Sequence, residues 1–172
     1  IITIPLEGDL EHKDSMGNVG VIRNGDIQVM SAGKGIYHSE YNKNKDTDVK
    51  LLQIWVFPNK KNVEPRYDQI VLKDIFKLNT LNQILSPNPN DAGVWIYQNS
   101  WFHLGHFDRE QKISYDLNDT NNGIYAFIIE GNAIIEGQEL EKRDGFGIWD
   151  TEKINIKTSS DSKILLLEVP MK

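Results

Sequence analysis

The stretch from Gly25 to Asn42, GDIQVMSAGKGIYHSEYN, is the most informative segment of this chain. An alternating apolar run leads into a glycine-rich bend, Ala32 to Gly35, and a second strand-like run, Ile36 to Tyr41, leads out of it. Because successive side chains of a strand point to opposite faces, His38 and Glu40 would project together. An imidazole and a carboxylate side by side suit a divalent metal, which binds such nitrogen and oxygen donors.

This spacing does not by itself define a metal site. A His and a Glu two apart on a strand are also typical of a polar pair on the solvent face of a half-buried sheet. The pair alone leaves both interpretations open, and the surrounding segments have to decide between them.

Those segments carry a resemblance to a known family. A glycine-led strand, a small-residue bend, His38 and Asn42 follow the order of the second cupin motif, although the bend is two residues longer and Ser31 replaces the usual proline. With the flanking segments, the chain resembles the pirin family of bicupins, in particular its bacterial quercetinase-like branch. The flanking segments are Leu6–Gly8, Glu11–Asn18, Leu52–Trp55 and Glu64–Gln69. We expect the close match to run from Ile1 to Gln69 and only the general architecture to be similar beyond it.

The resemblance implies an all-β fold, a bicupin built from double-stranded β-helices, or jelly rolls. Short strand candidates with turn signals between them agree with this fold, and Asn24-Gly25 is a strong hairpin signal. Residues 72–85 allow a helical turn followed by a strand from Thr80 to Leu85. The other predicted strands are Ile1–Leu6, Leu10–Asp14, Val19–Ile22, Val49–Phe57, Val94–Gln98, Trp101–Phe107, Lys112–Leu117, Ile124–Glu130, Ala133–Glu136, Phe146–Trp149, Ile154–Thr158 and Ile164–Val169.

We expect two unequal domains. Residues 69–172 carry enough strand candidates for a complete small barrel, a C-terminal cupin-like domain. Residues 1–68, with roughly five or six strands, are too few for a closed barrel, so we expect a partial N-terminal pirin-like cupin domain with its first barrel incomplete. The sequence also begins without Met in an apolar run, and we expect the natural protein to have a further upstream segment.

Composition excludes several classes of function. The chain has 172 residues, of which 26% are charged and 39% hydrophobic, and its net charge of -6 disfavours nonspecific binding to nucleic acid. Cysteine is absent, which excludes disulfides and thiolate ligands. No apolar run approaches the roughly 20 residues that cross a bilayer. With no signal peptide in view, we expect a cytoplasmic protein.

The resemblance also implies the metal ligands. In pirins an upstream His-x-His pair joins the positions matched here by His38 and Glu40 around one metal, and Glu40 would also be the catalytic proton acceptor. Fe(II) is the expected ion, with Ni, Mn, Cu, Co or Zn as alternatives. Because this sequence contains no His-x-His, we expect the remaining His ligands upstream and a weak or absent metal in this chain alone.

Three other histidines receive structural interpretations. His12 shares a strand face with Asp14, and we interpret it as a hydrogen-bonded structural histidine. His103 and His106 are three apart on a predicted strand, so they point to opposite faces and do not form a shared site. We therefore expect the second domain to hold no metal.

Aromatic residues leave two roles open. Gln53 and Trp55 share a face of the predicted strand Val49–Phe57 and would line the pocket, with core packing an equally good role for Trp55. Apolar residues on both faces of that strand predict burial on both sides. For all four tryptophans, the position inside strand candidates favours core packing over nucleic-acid stacking. They are Trp55, Trp95, Trp101 and Trp149.

The resemblance implies a metal-dependent dioxygenase of the quercetin 2,3-dioxygenase type that acts on a small aromatic substrate such as a flavonol. The alternative is a non-catalytic metal-sensing or regulatory pirin-like protein that binds a protein partner. A third interpretation is a truncated or degenerate cupin whose site never forms. Neither nucleic acid nor a membrane is expected as a direct partner, and whether the chain is an enzyme stays open at this point.

Overall fold

The structure is a computed structural model that describes residues 1–171. Within these residues the chain forms seventeen β-strands and one 3-10 turn, Leu72–Asp74, so the expected all-β fold is confirmed. The strands are β1 (Ile2–Glu7), β2 (Leu10–Asp14), β3 (Val19–Ile22), β4 (Asp26–Ser31), β5 (His38–Asn42), β6 (Lys50–Ile54), β7 (Arg66–Val71), β8 (Leu81–Ser86), β9 (Val94–Trp95), β10 (Trp101–Phe107), β11 (Gln111–Asp116), β12 (Asn122–Glu130), β13 (Ala133–Ile135), β14 (Gln138–Leu140), β15 (Gly145–Ile148), β16 (Lys153–Thr158) and β17 (Ser162–Pro170).

Contacts along the chain define two compact units. The first unit contains Ile1–Ile75 and Pro87–Gln98, and the second contains Phe76–Ser86 and the chain from Asn99 onward. The division therefore crosses the chain more than once, because residues 87–98 return to the first unit. The predicted domain bounds, 1–68 and 69–172, stay a prediction.

The first unit contains two antiparallel sheets. Strands β6, β1, β4 and β7 are neighbours in that order in one sheet, and β3, β2 and β5 form the other. Side chains alternate along the strands, so one face of the four-stranded sheet is apolar and buried while the other carries polar groups. The buried apolar face includes Ile2, Ile4, Ile27 and Val29.

Between β3 and β4 the chain passes from one sheet of the first unit to the other. The predicted turn at Asn24-Gly25 forms, with Gly25 at a φ of 94° and the Asp26 amide bonded to the carbonyl of Arg23. However, β3 pairs with β2 and β4 pairs with β1 and β7, so the two strands lie in different sheets. The predicted hairpin is wrong because Asn-Gly specifies the turn and not the partner of the strand that follows.

The second unit is also built from two sheets. Strands β15, β12, β17, β10 and β8 are neighbours in that order, and β11, β16, β13 and β14 form a second sheet. Strand β16 alternates strictly between exposed and buried residues, as expected for a sheet with one face on a core. The core includes Phe107, Ile124, Ile128, Ile135, Ile154, Ile156, Ile164 and Leu166.

Most predicted strands are confirmed within one to three residues, and β2, β3 and β10 match their predicted bounds. The long candidate Val49–Phe57 is wrong in length, because β6 ends at Ile54, opposite Ile2 at the start of β1. Beyond Ile54 that partner strand supplies no further residues. Phe57 is 90% exposed, and the expected burial on both faces is not found.

Two strands, β7 and β14, have no counterpart among the predicted ones. The sequence of β7, RYDQIV, mixes polar and apolar residues on both faces, and most of them are half-buried. Residues 72–85 follow the prediction, with a 3-10 turn and then β8. Across residues 1–171 the structure shows no helix with the length and apolar character needed to cross a membrane.

Candidate metal centre

His38 and Glu40 lie on β5, which pairs with β2. The register places Glu40 opposite His12 and His38 opposite Asp14. Because directly opposed residues project from the same face of a sheet, the four side chains form one group. The structure thus brings the two predicted ligands onto one face and adds a histidine and an aspartate beside them.

His12 is completely buried within this group. Its Nε2 lies 3.2 Å from Oδ2 of Asp14, and its Nδ1 lies 3.8 Å from Oε1 of Glu40. Its ring is stacked on the ring of His38, with 5.9 Å between the two centroids. It also packs against the ring of Tyr67, with 5.0 Å between centroids. The hydrogen bond to Asp14 confirms the interpretation of His12 as a hydrogen-bonded structural histidine.

Asp14 is a carboxylate that also organises the turn after β2. Its Oδ1 accepts hydrogen bonds from the backbone amides of Met16 and Asn18, and its Oδ2 accepts one from the side chain of Asn18. Burial raises the pKa of Asp14, but the hydrogen bonds from Asn18, His12 and Met16 together outweigh it and lower that pKa below its ordinary value. Asp14 therefore carries a negative charge next to His12.

Glu40 is held from a third strand. Its side chain is 14% exposed, and its Oε2 accepts a hydrogen bond of 2.8 Å from Nε2 of Gln53 on β6. Nε1 of Trp55 donates in turn to Oε1 of Gln53 at 3.2 Å. Trp55, Gln53 and Glu40 are thus linked by two successive hydrogen bonds. Oε1 of Glu40 takes part in neither of them.

Tyr67 is a residue of this group that the sequence analysis missed. Burial raises the pKa of Tyr67 to about 12, and the negative charges of nearby carboxylates add to this. Its hydroxyl donates a hydrogen bond of 2.7 Å to Oε1 of Gln69. The only signal in the sequence is its place in the segment Glu64–Gln69. The phenol remains neutral beside His12.

An apolar cavity of about 430 Å³ opens next to His38 within the first unit. His38 itself is exposed, and Trp55, 73% exposed, lines the same cavity. Trp55 therefore lines a cavity as expected, whereas Gln53 is not among the residues that line it. Further lining residues are Met30, Ile36, Val56, Phe57, Val63 and Ile96. A largely apolar molecule matches this lining.

The donor set fits a divalent metal in kind but not in number. His38 and Glu40 offer a nitrogen and an oxygen, yet a protein metal site normally uses three or more donors. Within residues 1–171, no three His, Asp or Glu side chains are arranged to bind one ion together. His12 lies beside the pair, with its Nε2 bonded to Asp14, but His12, His38 and Glu40 are not arranged to bind one ion. That His38 and Glu40 bind a metal therefore stays a prediction.

The histidines of the second unit lie in a different environment. The ring of His103 meets the ring of Tyr115 edge-on, with 4.9 Å between centroids. Burial lowers the pKa of His103 to about 4, against a smaller opposing effect of Glu168. His103 is therefore neutral near pH 7. That the second domain holds no metal stays a prediction.

Two tryptophans are exposed where the sequence predicts burial. Trp55 and Trp149 are 73% and 59% exposed, so the prediction of core packing is wrong for both. Each follows the last residue of its strand, Ile54 or Ile148, and so lies outside the paired part of its sheet. Trp95 differs, because the guanidinium of Arg66 stands over its ring at 3.9 Å.

Comparison with known proteins places both halves of the chain in one family. Residues 1–56 match the pirin family, and residues 83–169 match the quercetinase C-terminal cupin domain. The expectation that the close match ends at Gln69 is therefore wrong. Quercetin 2,3-dioxygenase of Escherichia coli K12 is 33% identical over 170 residues, which are 99% of this chain and 72% of that protein. A pirin-like protein of Caulobacter vibrioides is 30% identical over 169 residues, covering 98% of this chain and 72% of that protein.

Solved structures agree with this. The crystal structure of the bacterial pirin YhhW of Escherichia coli in complex with nickel(II) matches with a TM-score of 0.90 and 32% identity, covering 98% of this chain and 71% of that one. The quercetin 2,3-dioxygenase of Acinetobacter baumannii matches in fold, with a TM-score of 0.84 and 23% identity over 98% of this chain and 64% of that one. Fold and matches together define a bicupin, as the resemblance implied. The chain belongs to the pirin family.

Proposed function

We propose that this chain is part of a metal-dependent dioxygenase of the quercetin 2,3-dioxygenase type. The observation that carries the proposal is the pair of His38 and Glu40 on one strand face, with His38 lining an apolar cavity, in a chain that belongs to the pirin family. A relative that bears the name of this activity supports it, and so does the nickel(II) in the solved pirin YhhW.

His38 and Glu40 would hold the ion, together with imidazole ligands from outside the 172 residues. Fe(II) is our first choice because a His and carboxylate set with open positions is typical of iron oxygenases. Nickel(II) is the alternative that the solved relative suggests. A bound divalent ion would supply the Lewis-acid and redox chemistry that dioxygenation needs.

The residues of the chain then perform binding and proton transfer. The apolar lining orients the flat rings of a flavonol and excludes water from one side of them. The Glu40 carboxylate, which Gln53 holds through Oε2, takes the proton of a substrate hydroxyl. Gln53 keeps the carboxylate in one orientation, so the proton acceptor faces the same way in each turnover.

The first test is metal content per chain by elemental analysis. It compares the 172-residue chain with the product of its complete reading frame. About one ion per chain in the longer product, and little in the shorter one, would support a centre that His38 and Glu40 share with further ligands. A longer product that holds no metal would overturn the dioxygenase proposal.

Dioxygen consumption with quercetin is the second test. Glu40→Ala should abolish turnover while the fold persists. Glu11→Ala is the matched control, because Glu11 lies on β2 opposite Tyr41, on the other face of the sheet, where it pairs with Lys43. Full metal occupancy without turnover would favour the regulatory alternative. The cytoplasmic location remains a prediction throughout.

A further inference from the structure

A row of polar side chains crosses the four-stranded sheet of the first unit. The register places Gln53 opposite Thr3, Thr3 opposite Gln28, and Gln28 opposite Gln69, on β6, β1, β4 and β7. Directly opposed residues share a face of a sheet. The four side chains therefore lie side by side on one face.

This face is directed toward the three-stranded sheet. At one end of the row, Gln53 donates to Glu40 on β5. Near the other end, Tyr67, two residues from Gln69 and on the same face, packs against His12 of β2. Thr3 and Gln28, in the middle, are 0% and 1% exposed. The middle of the row is thus interior to the first unit.

The interior contains polar atoms without partners. Within residues 1–171, Oγ1 of Thr3, both amide atoms of Gln28 and Nδ1 of His12 are buried and form no hydrogen bond. Gln69 differs, because its amide donates to the carbonyl of Val21 and to Asp26, and accepts from Tyr67. Buried polar groups in proteins are almost always paired with protein or with ordered water.

We propose that Thr3, Gln28 and His12 bind a cluster of ordered water inside the first unit. Water fits because the Gln28 amide requires both a donor and an acceptor, and the Thr3 hydroxyl can use either. A buried water makes about three hydrogen bonds, and these residues supply that number of groups. The assignment rests on the register and burial of these residues and not on the proposed dioxygenase activity.

One water of this cluster lies between His12 and Glu40. The 3.8 Å between Nδ1 of His12 and Oε1 of Glu40 is too long for a direct hydrogen bond. A water in contact with both atoms satisfies each of them. The cluster therefore lies behind the carboxylate that Gln53 holds from the other side, and it gives Glu40 a second fixed partner.

The sign of a stability change tests the proposal. Gln28→Met and Thr3→Val keep nearly the same volume but remove the polar atoms. If water is bound, each variant loses hydrogen bonds and its melting temperature falls. If the atoms are unpaired, each variant removes an unsatisfied buried group and its melting temperature rises, which would overturn the proposal.

Two controls calibrate the measurement. Thr158→Val removes a buried hydroxyl that is bonded to Gln111 and Arg109 and should lower the melting temperature in any case. Should Gln28→Met fail to fold, the proposal is tested on the wild-type chain instead. The measurements are ¹⁷O water relaxation dispersion and a high-resolution crystal structure. Long-lived internal water within hydrogen-bond distance of Gln28 and Thr3 is expected. Dry density around both side chains would contradict it.

Discussion

Glu40 of β5 accepts a hydrogen bond from Gln53 of β6, with 2.8 Å between Oε2 and Nε2. The two residues belong to different sheets of the first unit, so the orientation of the carboxylate is set from outside its own strand. Partners of this kind fix the orientation of a metal ligand and adjust its basicity. In the metal centre proposed above, Gln53 should therefore support metal binding through Glu40.

Gln53→Leu should weaken nickel(II) binding by about 10- to 100-fold, because the carboxylate of Glu40 loses the donor that orients it. The melting temperature should change little, since Gln53 is exposed. Calorimetric titration with nickel(II) measures the effect, in whichever of the two proteins holds metal in the elemental analysis. The control is Gln138→Leu, an exposed glutamine of the second unit. Equal affinities in the two variants would show that Glu40 needs no such partner.

Gly33→Ala should destabilise the first unit next to His38. A Cβ on Gly33 would overlap the carbonyl oxygen of Val63, and the φ of 53° is unfavourable for alanine. Gly17→Ala is a matched control, since its φ is 94° and no atom lies within 4 Å of an added Cβ. The free energy of unfolding from urea titration should fall by more than about 1 kcal/mol for Gly33→Ala. An equal loss in both variants would mean that backbone conformation alone matters.

Alkaline pH should weaken the fold through Tyr67. Because the pKa of Tyr67 is raised from 10.0 to about 12, the folded state keeps a proton that the unfolded chain has lost. This contribution to stability is fully present below pH 10 and is lost as the pH rises toward 12. Urea unfolding across this range should show a smaller decline for Tyr67→Phe than for the wild type. Identical declines would contradict the raised pKa.

Glu168 should stabilise the second unit as a buried carboxylate. It accepts hydrogen bonds from the hydroxyl of Tyr115, from the side chains of Asn118 and Asn122, and from the backbone amides of Asn118 and Asp119. Glu168→Gln replaces one accepting oxygen by a donor and should lower the free energy of unfolding by about 1–3 kcal/mol. Thermal and urea unfolding measure the loss.

Glu168 should also make the stability of the second unit sensitive to acid. Burial raises the pKa of Glu168, but the hydrogen bonds from Tyr115, Asn118 and Asn122 outweigh it, and the net pKa lies below 4.5. The contribution to stability is therefore present above pH 4.5 and is lost as the pH falls through the folded pKa. Glu168→Gln should flatten this part of the stability curve. An unchanged acid limb in the variant would exclude Glu168 as its origin.

Local features of the candidate centre could be predicted from the sequence. The shared face of His38 and Glu40 follows from the two-residue period of a strand, and the hydrogen bond of His12 to Asp14 follows from the same period on β2. The strand bounds of β2, β3 and β10 were accessible because turn residues flank alternating runs. Each of these signals depends only on neighbours in the chain.

The other features of the candidate centre depend on which strands pair. That Gln53 reaches Glu40 requires the order β6-β1-β4-β7 and a second sheet across from it, which no local pattern specifies. The contact of Tyr67 with His12 is of the same kind. The exposure of Trp55 depends on where β1 begins, far away in the sequence, so no local pattern predicts it.

The return of residues 87–98 to the first unit restricts how the chain can be divided. Arg66 donates a hydrogen bond of 2.7 Å to the carbonyl of Trp95 and stands over its ring, so a fragment that ends at Ile75 lacks both contacts. No single break in the chain releases either unit whole. A variant that exchanges one unit for that of a relative must therefore replace two separate segments of the chain.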